Sequence, residues 1–249
     1  SATSSADYNI LIGDQVCKNN SLSGDYNIVM GSEYDGASLT NGYRNIILGA
    51  GWTGQNLTQG YNNILLGQNS GQALTTGNFN ISAGYYALNA ATTSSESIAF
   101  GSYTLGAVTT GIYNIGLGKQ AGTAVTTSDY GIFIGYQAGK KVTTGDNNIG
   151  IGRDTCSAVA SSNLTGSDNI AIGKGAIGYI HTGSTSNVAV GVNAGRDLTT
   201  GSLNVFIGKG ASMAATTCAY AISIGEGSNV QNGGGNIAIG WNASCESGR

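Results

Sequence analysis

A five-residue pattern of polar and apolar positions recurs along the whole chain. It consists of a residue that is usually Asn, then Ile or Val, a variable residue, an apolar residue and Gly. The pattern occurs fourteen times, mostly at intervals of 17 or 18 residues, and it closes at Gly13, Gly31, Gly49, Gly67, Gly84, Gly101, Gly118, Gly135, Gly152, Gly173, Gly191, Gly208, Gly225 and Gly240. So constant a period is typical of stacked coils, in which each repeat packs on the next.

A second signature fills most of the intervals between these patterns. It reads G-x-x-A-G followed by L/V-T-T-G, as in residues 135–145 and 191–201. We interpret each unit as two short strands and two turns. The sequence therefore predicts an all-β fold, a parallel β-solenoid of about fourteen coils with a 17–18 residue repeat. Residues 1–249 form one repeat domain in this prediction, with no separate cap or anchor.

Strand alternation assigns the positions of the pattern to two faces. We assign the Ile or Val and the apolar residue before Gly to the interior, and the variable residue between them to the outer face. That outer residue is nevertheless apolar in ten units: Leu11, Val29, Ile47, Leu65, Ala99, Phe133, Ala171, Ala189, Phe206 and Ala238. Because an outer face so apolar is unusual, we predict that it is buried between copies of the chain.

The sequence predicts a structural role for two positions of the pattern, the closing Gly and the Asn. The closing Gly fits a corner with positive φ or a close backbone approach. The Asn residues are predicted to form an amide ladder, each side chain bonding to its copy in the next coil. The ladder comprises Asn9, Asn27, Asn45, Asn63, Asn80, Asn114, Asn148, Asn169, Asn187, Asn204 and Asn236.

Composition excludes several functional classes. The chain has 42 Gly, no Pro, 9% charged residues and a net charge of −3, so no basic surface for nucleic acid is expected. No apolar run is long enough for membrane insertion. The four Cys have no metal-like spacing, and His181 is the only His, so we predict no metal, no cofactor and no enzymatic activity.

Candidate binding positions lie at the predicted turns. Aromatic residues precede the ladder Asn, and Tyr8, Tyr26, Tyr113 and Tyr130 are candidate glycan contacts, with mutual ring stacking as the alternative. The 21-residue interval places an insertion within residues 154–167, followed by irregular residues 178–184, where loops on a rigid scaffold often bind ligands. A rank of Thr residues indicates a weaker ice-binding possibility: Thr75, Thr92, Thr109, Thr126 and Thr143.

The phrases NIAIG, NVAVG and NIGIG, with the following G-x-x-A-G, resemble the head repeats of YadA-like trimeric autotransporter adhesins. They are also similar to repeat arrays of phage tail fibres that precede a self-cleaving intramolecular chaperone domain. The repeat here is longer than the autotransporter unit by its L-T-T-G turn. The resemblance implies a left-handed β-roll, a homotrimer and a role in attachment to cells or surfaces.

The sequence thus predicts a non-enzymatic fibre or adhesin segment, located outside the cell or in a virion tail fibre. Its expected partners are copies of itself and a cell-surface glycan or protein receptor, with neither nucleic acid nor membrane insertion. Because neither end shows an atypical capping repeat, a filament of subunits stacked head to tail is the first alternative. An ice-binding solenoid is the second.

Overall fold

The structure is a computed structural model that describes residues 7–18, 22–157, 163–180 and 183–245. Its contacts divide the chain into two compact units, Ser1–Thr127 and Ser128–Arg249. All regular structure in the described ranges is β-strand, and they contain no helix able to cross a membrane. His181, the only histidine considered for catalysis, lies outside these ranges, as do residues 158–162 of the predicted insertion.

The first unit is a stack of seven short parallel strands. Each strand pairs in register with the next, so that Ile28 lies opposite Ile46 and Val29 opposite Ile47. The strands are β1 (Ile10–Gly13), β2 (Ile28–Gly31), β3 (Ile46–Leu48), β4 (Ile64–Leu66), β5 (Ile81–Ala83), β6 (Ile98–Phe100) and β7 (Ile115–Leu117). Because every repeat contributes one strand to the same sheet, the unit is a parallel β-solenoid.

The second unit repeats this architecture. Its strands are β8 (Ile132–Ile134), β9 (Ile149–Ile151), β10 (Ile170–Ile172), β11 (Val188–Val190), β12 (Val205–Ile207), β13 (Ile222–Ile224), β14 (Asn229–Val230), β15 (Ile237–Ile239) and β16 (Ser244–Cys245). Strand β13 pairs with β15, while β14 and β16 form a separate two-stranded parallel sheet. The predicted all-β solenoid with a repeat of about 17 residues is confirmed.

The predicted assignment of strand faces is wrong. The second residue of strands β2–β13 and β15 points into the coil, and Val29, Leu65 and Phe133 are fully buried there. The first and third residues point outward, as Phe100 does with 59% of its surface exposed. The cause is the preceding Asn, which is itself buried, so alternation turns the following Ile to the outside.

The rest of the interior comes from the opposite side of the coil, where the period is three rather than two. Leu74, Gly77 and Asn80 are buried, and the exposed residues Thr76 and Phe79 lie between them. The buried Leu or Val of L/V-T-T-G therefore faces the middle residue of the strand across a narrow core. A period-2 pattern describes only the three-residue strands.

Within this core, a large side chain from the strand is matched by a small residue elsewhere in the coil, and the reverse. Where the strand contributes Phe133, the position that closes G-x-x-A-G is Gly139, and a Cβ there would lie 2.7 Å from Phe133 Cγ. Where the strand contributes the small Ala171, the equivalent position is the fully buried Ile177. Large and small residues thus fill one coil together, as close packing requires.

Each coil also has several backbone positions in the left-handed region. Gly191 has a φ of +137°, and a Cβ there would lie 2.5 Å from the carbonyl oxygen of Gly208 in the next coil. The residue before the ladder Asn is left-handed without being Gly, with φ values of 59° at Tyr26, 55° at Arg44 and 57° at Phe79. Stacking the coils therefore maintains conformations that isolated side chains rarely adopt.

We predict that Gly139→Ala lowers the free energy of unfolding more than Gly210→Ala does. Both glycines have a positive φ, 62° and 66°, but nothing lies within 4 Å of a Cβ at Gly210. Gly210→Ala should cost about 1–2 kcal/mol of backbone strain, and Gly139→Ala should add about 1–3 kcal/mol from the clash with Phe133. Urea unfolding measures both values. Adding Phe133→Leu should restore part of the loss at Gly139, and equal losses for the two alanine variants would refute the packing argument.

Candidate functional site

The most extensive candidate site of each unit is the outer face of its parallel strands. We define the outer sheet face of a unit as the first and third residues of its strands, β1–β7 in the first unit and β8–β13 with β15 in the second. Every one of these residues is apolar. Its well-exposed members are Ile10, Ile12, Met30, Leu48, Ile81, Phe100 and Leu117 in the first unit, and Ile172, Ile207, Ile237 and Ile239 in the second. Contiguous apolar surface of this kind marks an interaction site in a soluble protein.

Buried amides hold the coils beneath this face in register. Asn63 donates from Nδ2 to Oδ1 of Asn45 at 3.1 Å and to the carbonyl of Gly77 at 2.9 Å. Its own Oδ1 accepts from the backbone N–H of Asn80 at 3.0 Å and from the Asn80 amide at 3.1 Å. One side chain therefore bridges three coils and also bonds to the backbone at the neighbouring corner.

The other ladder positions follow the same arrangement with local exceptions. Hydrogen bonds between coil-equivalent Asn side chains link Asn9, Asn27, Asn45, Asn63 and Asn80 in the first unit, and Asn148, Asn169, Asn187 and Asn204 in the second. Ser97 takes one ladder position, and its Oγ accepts from the backbone of Asn114 at 3.2 Å. Asn236 donates instead to the carbonyl of Gln231 at 3.4 Å.

The Thr rank forms a second column of hydrogen bonds. Thr75 Oγ1 donates to the carbonyl of Thr92 at 2.9 Å, Thr92 donates to Thr109 at 3.2 Å, and Thr143 donates to Leu164 at 3.2 Å. These hydroxyls are therefore bound to the backbone of the next coil. Their geometry accounts for the repeated first Thr of T-T without any ligand.

The predicted glycan-contact residues lie at an exposed corner of the coil. Tyr8 and Tyr26 stack on each other with ring centroids 5.0 Å apart and planes 6° from parallel. Tyr113 and Tyr130 are exposed by 38% and 54%. All four have a positive φ, because each precedes a ladder position.

A cavity of about 300 Å³ interrupts this aromatic corner in the first unit. Its lining includes Ser23, Asp25, Tyr26, Asn41, Tyr43 and Arg44, and we call it the corner cavity. Sequence reasoning identified Tyr26 but missed Arg44. The available signal was the phrase Tyr43-Arg44-Asn45, in which the aromatic residue stands one position earlier than in Tyr26-Asn27.

A smaller cavity of about 140 Å³ lies beside the predicted insertion in the second unit. Asp154, Ser157, Lys174, Tyr179, Asn193 and Arg196 contribute to its lining. Arg196 donates to both carboxylate oxygens of Asp197, at 2.6 and 2.8 Å. This hydrogen bonding raises the pKa of Arg196 above its ordinary value. Of the two cations in this lining, Arg196 is therefore already paired with Asp197.

Three cysteines and two aspartates in the described ranges lie in surroundings that indicate a structural role. Burial raises the pKa of Cys17 and Cys218 to about 11 and that of Cys156 to about 12, so these thiols are protonated at neutral pH. Asp25 and Asp146 each accept a backbone N–H from the preceding coil at 2.8 Å. Within the described ranges, no group of three or more potential metal ligands occurs.

Comparisons with protein-family models, with curated proteins and with solved structures gave no match to this chain. The parallel solenoid therefore rests on the structure itself, and the likeness to adhesin heads and tail fibres rests on the repeat phrases. The function has to be argued from the outer sheet face and the corner of the coil.

We predict that Asn63→Ala lowers the free energy of unfolding by about 2–4 kcal/mol, because it leaves a buried N–H and a buried carbonyl without partners. Asn63→Ser should cost less, since Ser97 already accepts a hydrogen bond in a ladder position. The matched control is Asn56→Ala, an exposed Asn in the same unit, which should change stability by less than about 0.5 kcal/mol. Urea unfolding and the exchange rate of the Asn80 amide hydrogen measure the effect. Equal stabilities of the two alanine variants would show that the ladder is dispensable.

Proposed function

We propose that this chain is a non-enzymatic segment of an extracellular fibre or adhesin, in which the outer sheet face is buried between three parallel copies of the chain. The fibre attaches a phage tail or a bacterial surface to a cell or glycan surface. The observation that carries the proposal is the outer sheet face, where every position of the repeated strands is apolar.

The periodicity of this face favours a second copy of the chain as its partner. Neighbouring strands of a sheet lie about 4.8 Å apart, so each unit presents rows of apolar side chains at that interval. A partner that buries all the rows must carry apolar groups at the same repeat, and an identical solenoid does so coil by coil. The number of three copies comes from the resemblance to trimeric adhesin heads.

The polar side chains form hydrogen bonds between coils, which supports a scaffold role rather than an enzymatic one. Buried amides and Thr hydroxyls bond to neighbouring coils, as Asn63 and Thr75 do, and so stiffen the stack. Catalysis needs a nucleophile or base with a positioned partner, and the buried thiols have raised pKa values. The extracellular setting and the attachment role are supported by the resemblance of the repeat phrases.

We predict that the purified protein has a fixed mass near three chains in light scattering over a concentration series. The double variant Phe100→Glu/Leu117→Lys should dissociate it, because it places two charges on adjacent strands of the outer sheet face. The two residues lie directly opposite each other, so their opposite charges should attract and leave the coil itself folded.

The matched control carries the same two charges on neighbouring coils of the same unit but at a corner. Thr93 and Thr110 are exposed and stand 17 residues apart, so Thr93→Glu/Thr110→Lys should retain the wild-type mass. A monomeric wild-type protein would contradict the assembly proposal. Open-ended growth with concentration would replace it with the head-to-tail filament.

A further inference from the structure

The corner cavity exists because the column of aromatic rings changes position between two coils. Tyr8 and Tyr26 stack at the position directly before the ladder Asn. Tyr43 and Tyr61 stack one position earlier in the sequence, with centroids 4.9 Å apart and planes 4° from parallel. Tyr26 therefore has no ring above it in the next coil. Arg44 takes that place, and the space left between the two columns is the cavity of about 300 Å³.

Arg44 supplies a cation to this cavity. Its guanidinium carbon lies 5.9 Å from the ring centroid of Tyr26 and 5.7 Å from that of Tyr43. Among the described residues it forms no ion pair, in contrast to Arg153 with Asp154 and Arg196 with Asp197. A guanidinium held between two rings keeps its planar set of N–H donors for a carboxylate.

Two neutral side chains and one carboxylate complete the lining. Ser23 donates its hydroxyl to Asn41 Oδ1 at 2.7 Å, which fixes the Asn41 side chain and leaves its Nδ2 as a donor. Asp25 Oδ1 accepts the backbone N–H of Asp7 at 2.8 Å, which orients a carboxylate able to accept from ligand hydroxyls. The cavity thus combines two partly exposed aromatic rings, a cation, a carboxylate and polar groups suited to hydroxyls.

We infer that the corner cavity binds a sugar that carries a carboxylate group. The carboxylate pairs with Arg44, the sugar ring packs beside Arg44 against the exposed part of the Tyr26 or Tyr43 ring, and Asp25 and Asn41 bond to its hydroxyls. This inference rests on the attachment role proposed above and gives that role a site and a ligand class. A cavity of this volume is large enough for one such unit of a surface glycan.

The test is a saturation-transfer NMR titration of the assembled protein with D-glucuronate and with D-glucose, its neutral counterpart. Glucuronate should bind roughly tenfold more tightly or better, because only it pairs with Arg44. N-Acetylneuraminate is a second acidic probe, and binding of either acid supports the inference while the preference distinguishes uronic from sialic acids. Failure of both acids to bind more tightly than glucose would overturn it.

Variants distinguish binding of glucuronate at the corner cavity from a general attraction between the ligand and the charge of the protein. Arg44→Asn should weaken glucuronate binding roughly tenfold or more while keeping a residue that tolerates a φ of 55°. Arg44→Lys keeps the charge without the planar fork and should lose less. Tyr26→Asn, for which the same backbone argument holds, should weaken the binding of glucuronate. Arg153→Gln removes an exposed cation in the other unit and should have no effect.

Light scattering on the same samples distinguishes the two proposals. A protein that assembles as proposed but binds glucuronate no better than glucose refutes the corner-cavity inference alone. A protein that binds glucuronate through Arg44 without assembling supports the cavity and refutes the assembly. Equal loss of binding in Arg153→Gln and Arg44→Asn would show attraction by net charge and would also overturn the inference.

Discussion

The buried amide ladder is the interaction on which the rest of the structure depends. Asn63 links to the coils on both sides and to the backbone carbonyl of Gly77, and its side chain is fully buried, so it has to point inward. Strand alternation then places Ile64 outside, Leu65 inside and Leu66 outside. The same residue fixes the corner before it, where the backbone is left-handed at Asn62. The apolar outer face and the exposed aromatic corner are both consequences of this one buried group.

The period of the sequence was sufficient to predict the fold, because stacked coils require equal repeat lengths and shared strand phrases. It was not sufficient to assign the faces. The constant Ile column was assigned to the core, and strand alternation then placed Leu65, Ala99 and Phe133 on the outer face. In the structure, variation in size with compensation marks the packed interior, as with Phe133 and Gly139. The residue type that stays constant from coil to coil, as in the Ile column, marks the outer sheet face, which repeats the same contact at every coil.

The sequence was sufficient to predict aromatic residues at the candidate site, the corner cavity, but not how the lining residues are arranged. Aromatic residues before the ladder Asn are visible in the sequence, and Tyr26 was among the candidates. The corner cavity requires the shift of the aromatic column from Tyr26 to Tyr43, together with the position of Arg44 over both rings. Neither feature follows from a repeat pattern, since both are departures from it. Irregular coils are therefore where we propose that this solenoid has a binding site of its own.

The central claim is that residues next to each other on one strand face opposite environments, one inside the coil and one between copies of the chain. Maleimide labelling of Ala99→Cys and Phe100→Cys tests it most directly, since Ala99 is fully buried and Phe100 is 59% exposed in the single chain. With the native cysteines as background, we expect Ala99→Cys to react slowly at every protein concentration. Phe100→Cys should react slowly in the assembled protein and fast when an added Leu117→Lys, on the opposite strand, dissociates it. Fast labelling of Phe100→Cys in concentrated protein would contradict the account, because the outer sheet face would then be open to solvent.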